Sequence, residues 1–162
     1  MSEPTPFALS HHLTELFGCK VTFTHTTAAA DGPVRQIYGI YSVLPNNTAI
    51  VVKADLPLLG SFAGVLVGLP DAAVKERLKV SPIDELLRDA MYEVLNISSA
   101  VVATGERAFF MKMVMDKTYV DGAAGAVLLK PGHRSYFSVT VDGYQGGKFT
   151  VLSPLVSQNP RG

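Results

Sequence analysis

Charge, cysteine and basic clusters are all scarce in this 162-residue sequence, and each scarcity excludes a class of protein. Charged residues make up 17% of the chain, and 14 lysines and arginines balance 14 aspartates and glutamates. A neutral chain without local basic runs lacks the positive surface that attracts nucleic acids and anionic membranes, so we expect neither partner. Low charge with a positive mean hydropathy indicates apolar surface that a partner or a second copy covers.

The single cysteine and the short apolar runs limit the compartment in which the protein works. Cys19 cannot form an internal disulfide, no Cys/His set has zinc spacing, and we interpret Cys19 as a small buried hydrophobe. The longest apolar run, "PLLGSFAGVLVGLP", holds about a dozen residues, whereas a membrane span needs roughly 20. The start "MSEPTPFALS" has neither the basic nor the apolar segment of a signal peptide, so we expect a cytoplasmic protein.

Signatures of self-contained catalysis are also missing. The adjacent His11 and His12 point to different helix faces, and His25 and His133 are scattered, which disfavours a metal site. The segment "DGYQGGK" lacks the spacing of a phosphate-binding loop and favours a turn. The alternating methionines Met111, Met113 and Met115 favour core packing on one strand face over a promiscuous binding surface.

The first half of the chain predicts a helix, three strands and a second helix. "PFALSHHLTELFG" is typical of a helix that begins near Pro6 and stops at Gly18. "CKVTFTHTT" predicts a strand, "AAADGP" a loop, and "VRQIYGIYSVL" and "TAIVVKA" a hairpin around "PNN". "DLPLLGSFAGVLVG" predicts a helix with Asp55 as N-cap and Gly68 as stop. Its small residues would allow close backbone packing.

The second half repeats the order of a helix followed by three strands. Ser81, Pro82 and Asp84 predict an N-cap, a first helical residue and a capping-box acid, and the helix then runs to Gly105. "RAFFMKMVMDKTYV", "GAVLLK" and "SYFSVTV" predict strands, "KPGHR" a hairpin turn between the last two, and "KFTVLS" an extension of the sheet. We therefore expect a single α+β domain over residues 1–162, with loose tails at 1–5 and 154–162. It would be pseudo-symmetric, with a largely antiparallel sheet and long helices on one face.

The helix predicted over residues 81–104 has two contrasting faces. At 100° per residue its apolar side carries Ile83, Leu86, Leu87, Ala90, Met91, Val94, Ile97, Ser98, Val101 and Val102. The polar side carries Glu85, Asp89, Tyr92 and Asn96, with Glu93 on the flank. Glu93 and Asn96 are three residues apart and should project together. The spacing alone favours a solvated helix face over a functional site.

The order of elements resembles the CheX/CheC family of chemotaxis phosphatases. The resemblance covers roughly residues 6 to 153 and rests on the hairpin "IYGIYSVLPNNTAIVVKAD", the small-residue helix, and the long helix carrying Glu93-Val94-Leu95-Asn96. The E-x-x-N element is its most specific part. CheC-type members usually carry two such elements, and this chain has one, which resembles the CheX type that is typically a homodimer. The segment after Asn96, "ISSAVV", departs from the glycine-rich or Ala/Gly/Asn-rich pattern common in the family.

This resemblance implies a phosphatase that hydrolyses the phospho-aspartate of a CheY-like response regulator. The regulator would hold Mg²⁺, so the chain would need no cofactor of its own. Asn96 would orient the attacking water, and Glu93 would pair with the lysine of the regulator's active site. Glu85, Asp89 and Tyr92 would contact the rim of the partner.

Two other functions remain open at the level of sequence. The same helix could bind a response regulator without catalysis, as a sequestering module or an adaptor. A small-molecule-binding α+β dimer is the weaker alternative, because nothing in the sequence marks a ligand pocket.

Overall fold

The computed structural model describes residues 3–27 and 34–154, which form one six-stranded antiparallel sheet with helices on both faces. The elements in chain order are α1 (Pro6–Phe17), β1 (Val21–His25), β2 (Gln36–Val43), β3 (Thr48–Asp55), α2 (Leu56–Val67), α3 (Asp71–Leu78), α4 (Glu85–Ile97), β4 (Ala108–Val114), α5 (Gly122–Leu129), β5 (His133–Val141) and β6 (Tyr144–Ser153). Two 3₁₀ turns, Ser98–Ala100 and Lys117–Tyr119, follow α4 and β4. The loop predicted over "AAADGP" lies outside the described residues.

The strand order β1-β5-β6-β3-β2-β4 explains the repeated order of elements. Exchanging the first three strands for the last three, in sequence, reverses this order and leaves it otherwise unchanged. The two halves are therefore related by a pseudo-twofold axis between β3 and β6, and each half places two strands together and one at the far edge. The predicted pseudo-symmetric, antiparallel α+β fold is confirmed.

The main core lies between the sheet and the layer formed by α1, α2 and α4. Its largest fully buried side chains include Tyr41, Phe62, Phe137 and Phe149. A second, smaller cluster lies on the opposite face, where Val51 and Leu152 of the sheet meet Ala124 and Val127 of α5. The long helices thus share one face, as predicted.

The helix α1 begins and ends as the sequence predicts. Pro6 lies in its first turn, and Gly18 ends it with φ 68°, a left-handed conformation that glycine adopts without a steric penalty. Thr5 caps the helix by accepting a hydrogen bond from the Ala8 N–H at 3.1 Å. Thr5 therefore belongs to the helix cap rather than to the loose tail predicted over residues 1–5. The other predicted tail lies, after Pro154, outside the described residues.

Two short helices differ from the sequence-based expectation. The predicted strand "GAVLLK" is wrong, because these residues form most of α5, and "KPGHR" links this helix to β5 instead of closing a hairpin. A short apolar run has no periodicity that separates a helix from a strand. The helix α3 was not predicted; it packs on α2, where a Cβ added to Gly60 or Gly64 would lie 2.6 Å from Leu78 or 2.3 Å from Val74. The close packing expected at these small residues is confirmed.

The carboxylate of Asp55 does not cap α2, although the residue occupies the predicted N-cap position. It instead accepts hydrogen bonds from the side chain of Gln36 and from the Lys148 N–H, the latter at 2.8 Å. Asp55 is only 9% exposed, so it needs these partners. It connects β2, β3 and β6 near the pseudo-twofold axis.

The alternation of methionines along β4 is broken by a β-bulge. The register shifts opposite Ile40 and Tyr41, so that Lys112 pairs with Ile40 and Phe110 with Tyr41. The extra residue, Met111, is 58% exposed, whereas Met113 and Met115 pack against the main core. The prediction of three core methionines is therefore wrong for Met111, since a bulge changes the face on which the next side chains lie.

Candidate functional site

The helix α4 carries the predicted site, and its start differs from the prediction. Asp84 is the N-cap itself and accepts a hydrogen bond from the Leu87 N–H at 3.0 Å, while Ser81 and Pro82 precede the helix. The predicted capping box is therefore wrong, since a capping-box acid lies at the third position inside the helix, whereas Asp84 is the residue that precedes its first turn. The buried side chains of α4 are Leu87, Ala90, Met91, Val94 and Leu95.

The four residues Glu93 to Asn96 divide between surface and core. Val94 and Leu95 are each 1% exposed and anchor the helix to the main core. Glu93 and Asn96 are exposed, and neither side chain has a hydrogen bond or ion pair within the described residues. An amide and a carboxylate thus stand free, about one turn apart, on a helix whose inner face is fixed.

The remaining predicted contact residues continue this surface toward the helix N-terminus. Glu85 and Asp89 are exposed, and neither carboxylate forms an ion pair in the described part of the chain. Together with Glu93 they form an acidic stripe, whose negative potential favours a partner with a positive surface. Tyr92 is 45% exposed, and its ring packs edge-to-face against Phe110 at 4.8 Å between centroids.

The predicted apolar face of α4 is wrong at two positions. Leu86, placed on the apolar side, is 47% exposed, and Leu95, absent from that side, is buried. The helix also ends at Ile97 rather than near Gly105. Ser98 and Ser99, followed by β-branched Val101 and Val102, are weaker helix formers than Ala or Leu, and a 3₁₀ turn replaces the helix there. Asn96 therefore lies in the last turn of α4.

Three residues that sequence reasoning missed lie against this last turn. The hydroxyl of Tyr41, from β2, donates to the Leu95 carbonyl at 2.5 Å. The Ser98 hydroxyl donates to the Val94 carbonyl at 2.8 Å, and His12 Nε2 lies 3.2 Å from the Ile97 carbonyl oxygen. Tyr41 and His12 come from distant parts of the chain, so no local pattern could have indicated these contacts.

The adjacent histidines and the glycine-rich segment considered from the sequence have structural contacts of their own. His11 stacks on Phe7 while His12 faces α4, as the different helix faces of the two residues predict. No group of three or more His, Cys, Asp or Glu residues in the described ranges could hold a metal ion. "DGYQGGK" forms a turn at Asp142–Gly143 and then enters β6, so the predicted turn is confirmed for its first residues.

Cys19 packs against the main core, as expected of a small buried hydrophobe, although its burial is only partial. Burial, followed by the negative charge of Asp142, raises the pKa of its thiol. A raised pKa lowers the thiolate fraction near neutral pH, and the thiolate is the nucleophile. This environment supports a structural role for Cys19. No helix in the part of the chain that the structure describes is long and apolar enough to cross a membrane.

Comparison with known proteins places the chain by its fold. No family model matches the sequence, and no curated protein matches it. Among solved structures, the FliM middle domain from Helicobacter pylori aligns with TM-score 0.55 and 13% identity, over 94% of this chain and 86% of that one. FliY from Thermotoga maritima aligns with TM-score 0.57 and 12% identity, over 90% and 81% of the two chains.

A putative chemotaxis protein from Desulfovibrio vulgaris Hildenborough also has this architecture. It aligns with TM-score 0.51 and 14% identity, over 91% of this chain and 92% of that one. These structural alignments establish a common fold. At such low sequence identity they leave the reaction open, because one fold can carry several functions. The resemblance to the CheX/CheC family is confirmed at the level of the fold: the chain has a CheC-like fold, shared with the FliM middle domain, FliY and this putative chemotaxis protein.

Proposed function

We propose that this chain is a CheX-like phosphatase that hydrolyses the phospho-aspartate of a CheY-like response regulator. The proposal is carried by one observation: the Glu93 and Asn96 side chains are exposed and have no partner among the described residues, on a helix anchored by the buried Val94 and Leu95. An exposed helix with a fixed inner face suits a catalyst whose amide must enter the active site of another protein. The proposal includes a cytoplasmic location, where it would meet such a regulator.

Asn96 would act on the attacking water. Phospho-aspartate is an acyl phosphate, already reactive toward water, so hydrolysis requires positioning more than a strong base. An amide offers a donor and an acceptor, and together these can hold a water in line with phosphorus. The water oxygen attacks phosphorus, and the bond from phosphorus to the aspartyl oxygen breaks. Inorganic phosphate leaves with the water's oxygen and protons, and the aspartate carboxylate remains on the regulator.

Glu93 would act on the docking of the two proteins. Its carboxylate is free to pair with the lysine of the regulator's active site, and such charge-assisted hydrogen bonds fix orientation as well as adding affinity. Glu85 and Asp89 extend the same negative surface, and would mainly raise the association rate. Mg²⁺ would be held by the regulator, where it would neutralise charge on the phosphoryl group.

The experiment measures binding and phosphate loss together. Candidate response regulators are phosphorylated with a small acyl-phosphate donor, and phospho-aspartate decay is followed with and without the chain. Asn96→Ala should bind normally but abolish the acceleration. Asn46→Ala, an exposed asparagine in the turn between β2 and β3, is the matched control and should retain full activity.

Two results would contradict parts of this proposal. Acceleration that survives in Asn96→Ala would remove Asn96 from the mechanism. Saturable binding to the phosphorylated regulator without faster decay would instead favour the non-catalytic binding module, since the acidic stripe and Tyr92 could serve docking alone.

A further inference from the structure

The last turn of α4 has unusually complete support from side chains. An α-helix leaves its last four carbonyl groups without partners inside the helix. In α4, which ends at Ile97, these belong to residues 94–97, and the backbone N–H of Ser98, just after the helix, bonds to the Val94 carbonyl. Ser98 donates to the Val94 carbonyl and Tyr41 to that of Leu95, and His12 lies within hydrogen-bond distance of that of Ile97. The turn that carries Asn96 is therefore fixed by β2, by α1 and by the chain that follows it.

Among these contacts, those from Tyr41 and Ser98 are buried, and the one from Tyr41 joins α4 to a strand. Tyr41 is 1% exposed, and its hydroxyl donates to the Leu95 carbonyl at 2.5 Å. Burial raises the pKa of this hydroxyl, so it remains a protonated donor at any working pH. The ring packs against Phe110, with 5.3 Å between centroids, so the side chain cannot easily turn away. This hydrogen bond therefore connects β2 to α4.

Gly39 brings Leu95 against the same face of β2, two residues before Tyr41. A Cβ at position 39 would lie 3.1 Å from Leu95 Cδ2 and 3.3 Å from Tyr41 Cε1, tighter than ordinary contacts. The Leu95 side chain therefore packs directly on the backbone of β2 at Gly39. Leu95 is held twice, through its side chain and through its carbonyl.

The geometry of the peptide bond connects this link to Asn96. The Leu95 carbonyl and the Asn96 nitrogen and Cα belong to one planar peptide unit. A hydrogen bond that fixes the Leu95 oxygen therefore fixes the plane from which the Asn96 side chain departs. Asn96 lies near the frayed end of a helix, where such a restraint has the largest effect on position.

We propose that Tyr41 is a positioning residue for Asn96: its hydroxyl holds the Leu95–Asn96 peptide so that the Asn96 amide keeps one place on the surface. This inference rests on the proposed phosphatase function. Misplacement of a reacting group by about 1 Å can cost on the order of 100-fold in rate. This role of Tyr41 differs from docking, because its hydrogen bond restrains the peptide next to Asn96, whereas the docking residue Glu93 lies about one turn earlier.

The test compares two substitutions that each remove one tyrosine hydroxyl that donates to a backbone carbonyl. Tyr41→Phe keeps the ring and removes the donor to Leu95. Tyr144→Phe removes a similar bond, 2.6 Å from the Leu69 carbonyl, in the loop after α2, and is the matched control. With saturating chain, Tyr41→Phe should lower the maximal rate of phospho-aspartate decay about tenfold. The half-saturating concentration should stay within about twofold, and Tyr144→Phe should leave the rate unchanged.

A second readout does not need activity. The amides of Val101 and Val102 bond to the Ser98 carbonyl just after the helix, and their hydrogen exchange reports on this end of α4. Their exchange should become faster in Tyr41→Phe and not in Tyr144→Phe, with both variants folded by circular dichroism. Unchanged exchange in Tyr41→Phe, or an unchanged maximal rate in an active protein, would overturn the proposal. If the wild-type chain never accelerates decay, the proposed function fails, and the exchange result alone decides the positioning claim.

Discussion

At the scale of single residues, Glu93 and Asn96 are both exposed but are suited to different tasks. A carboxylate accepts hydrogen bonds and carries charge, so it recognises a cation. An amide is neutral and has both a donor and an acceptor, so it can hold a water. The division of labour between docking and catalysis follows from these side chains, and each can be tested by a separate measurement.

Glu93→Gln keeps the size of the side chain and removes its charge. We expect about tenfold weaker binding to the phosphorylated regulator, because a hydrogen bond between charged groups contributes roughly 1.5–3 kcal/mol. The decay rate at saturation should change little. Binding is measured by titration at low and moderate salt. Glu85→Gln, two turns earlier on the same helix, is the control, and should mainly slow association.

An affinity for Glu93→Gln equal to that of the wild type would contradict the docking role of Glu93. A fall in the saturated decay rate with unchanged affinity would place Glu93 in the chemical step instead.

At the scale of elements, α4 is positioned by the helix α2, which packs beside it, and α2 is in turn packed closely by α3. Gly60 and Gly64 on α2 face Leu78 and Val74 on α3, so each pair is one helical turn apart on both helices. The absence of a side chain on α2 is what allows this approach. This contact supports the layer in which the candidate site lies.

Gly64→Ala should therefore destabilise the fold. The new Cβ would lie 2.3 Å from Val74 Cγ2, which forces a displacement, and overpacking of this kind costs about 1–3 kcal/mol. Chemical unfolding followed by circular dichroism measures the loss. In the double variant Gly64→Ala, Val74→Ala, the clashing methyl is gone, so the combined loss should be smaller than the sum of the two single losses. Strictly additive losses would show that this contact does not limit the packing.

The elements also show which parts of the fold the sequence could predict. The helix α4 has a long amphipathic pattern, and the E-x-x-N residues were placed on its surface correctly. The two ends of α4 were predicted wrongly. At the start, Asp84 could serve either as N-cap or as capping-box acid. At the end, Ser98 to Val102 continue the apolar pattern although the α-helix has stopped. The helices α3 and α5 have eight residues each, too few for periodicity to distinguish them.

At the scale of the whole molecule, the pseudo-twofold axis relates halves that show no convincing sequence identity. The repeated order of elements predicted this symmetry, but the interleaving of the halves, with β4 beyond β2 and β1 beyond β5, depends on long-range pairing. The same is true of Tyr41 and Leu95, which are 54 residues apart in sequence. Local patterns therefore indicated the candidate site residues but not the residues that contact them.

The two halves leave β4 as one edge of the sheet, and on it Phe109 and Met111 are 41% and 58% exposed. We propose that a second copy of the chain covers this apolar strand to form a homodimer. Sedimentation at micromolar concentration should give a dimer, and Met111→Lys should shift it toward monomer. Leu129→Lys, at an 88% exposed apolar residue of α5, is the control and should remain dimeric. A wild-type monomer at this concentration would contradict the dimer and leave the site on α4 unaffected.

The central claim is that Asn96 accelerates loss of the aspartyl phosphate in another protein. The most direct measurement is the first-order decay of a phosphorylated response regulator that is fully bound by excess chain, with wild type and Asn96→Ala compared side by side. We predict that the wild-type chain accelerates decay and that Asn96→Ala returns it to the regulator's own rate, a loss on the order of 100-fold. Equal decay in the wild-type and Asn96→Ala complexes would contradict the claim.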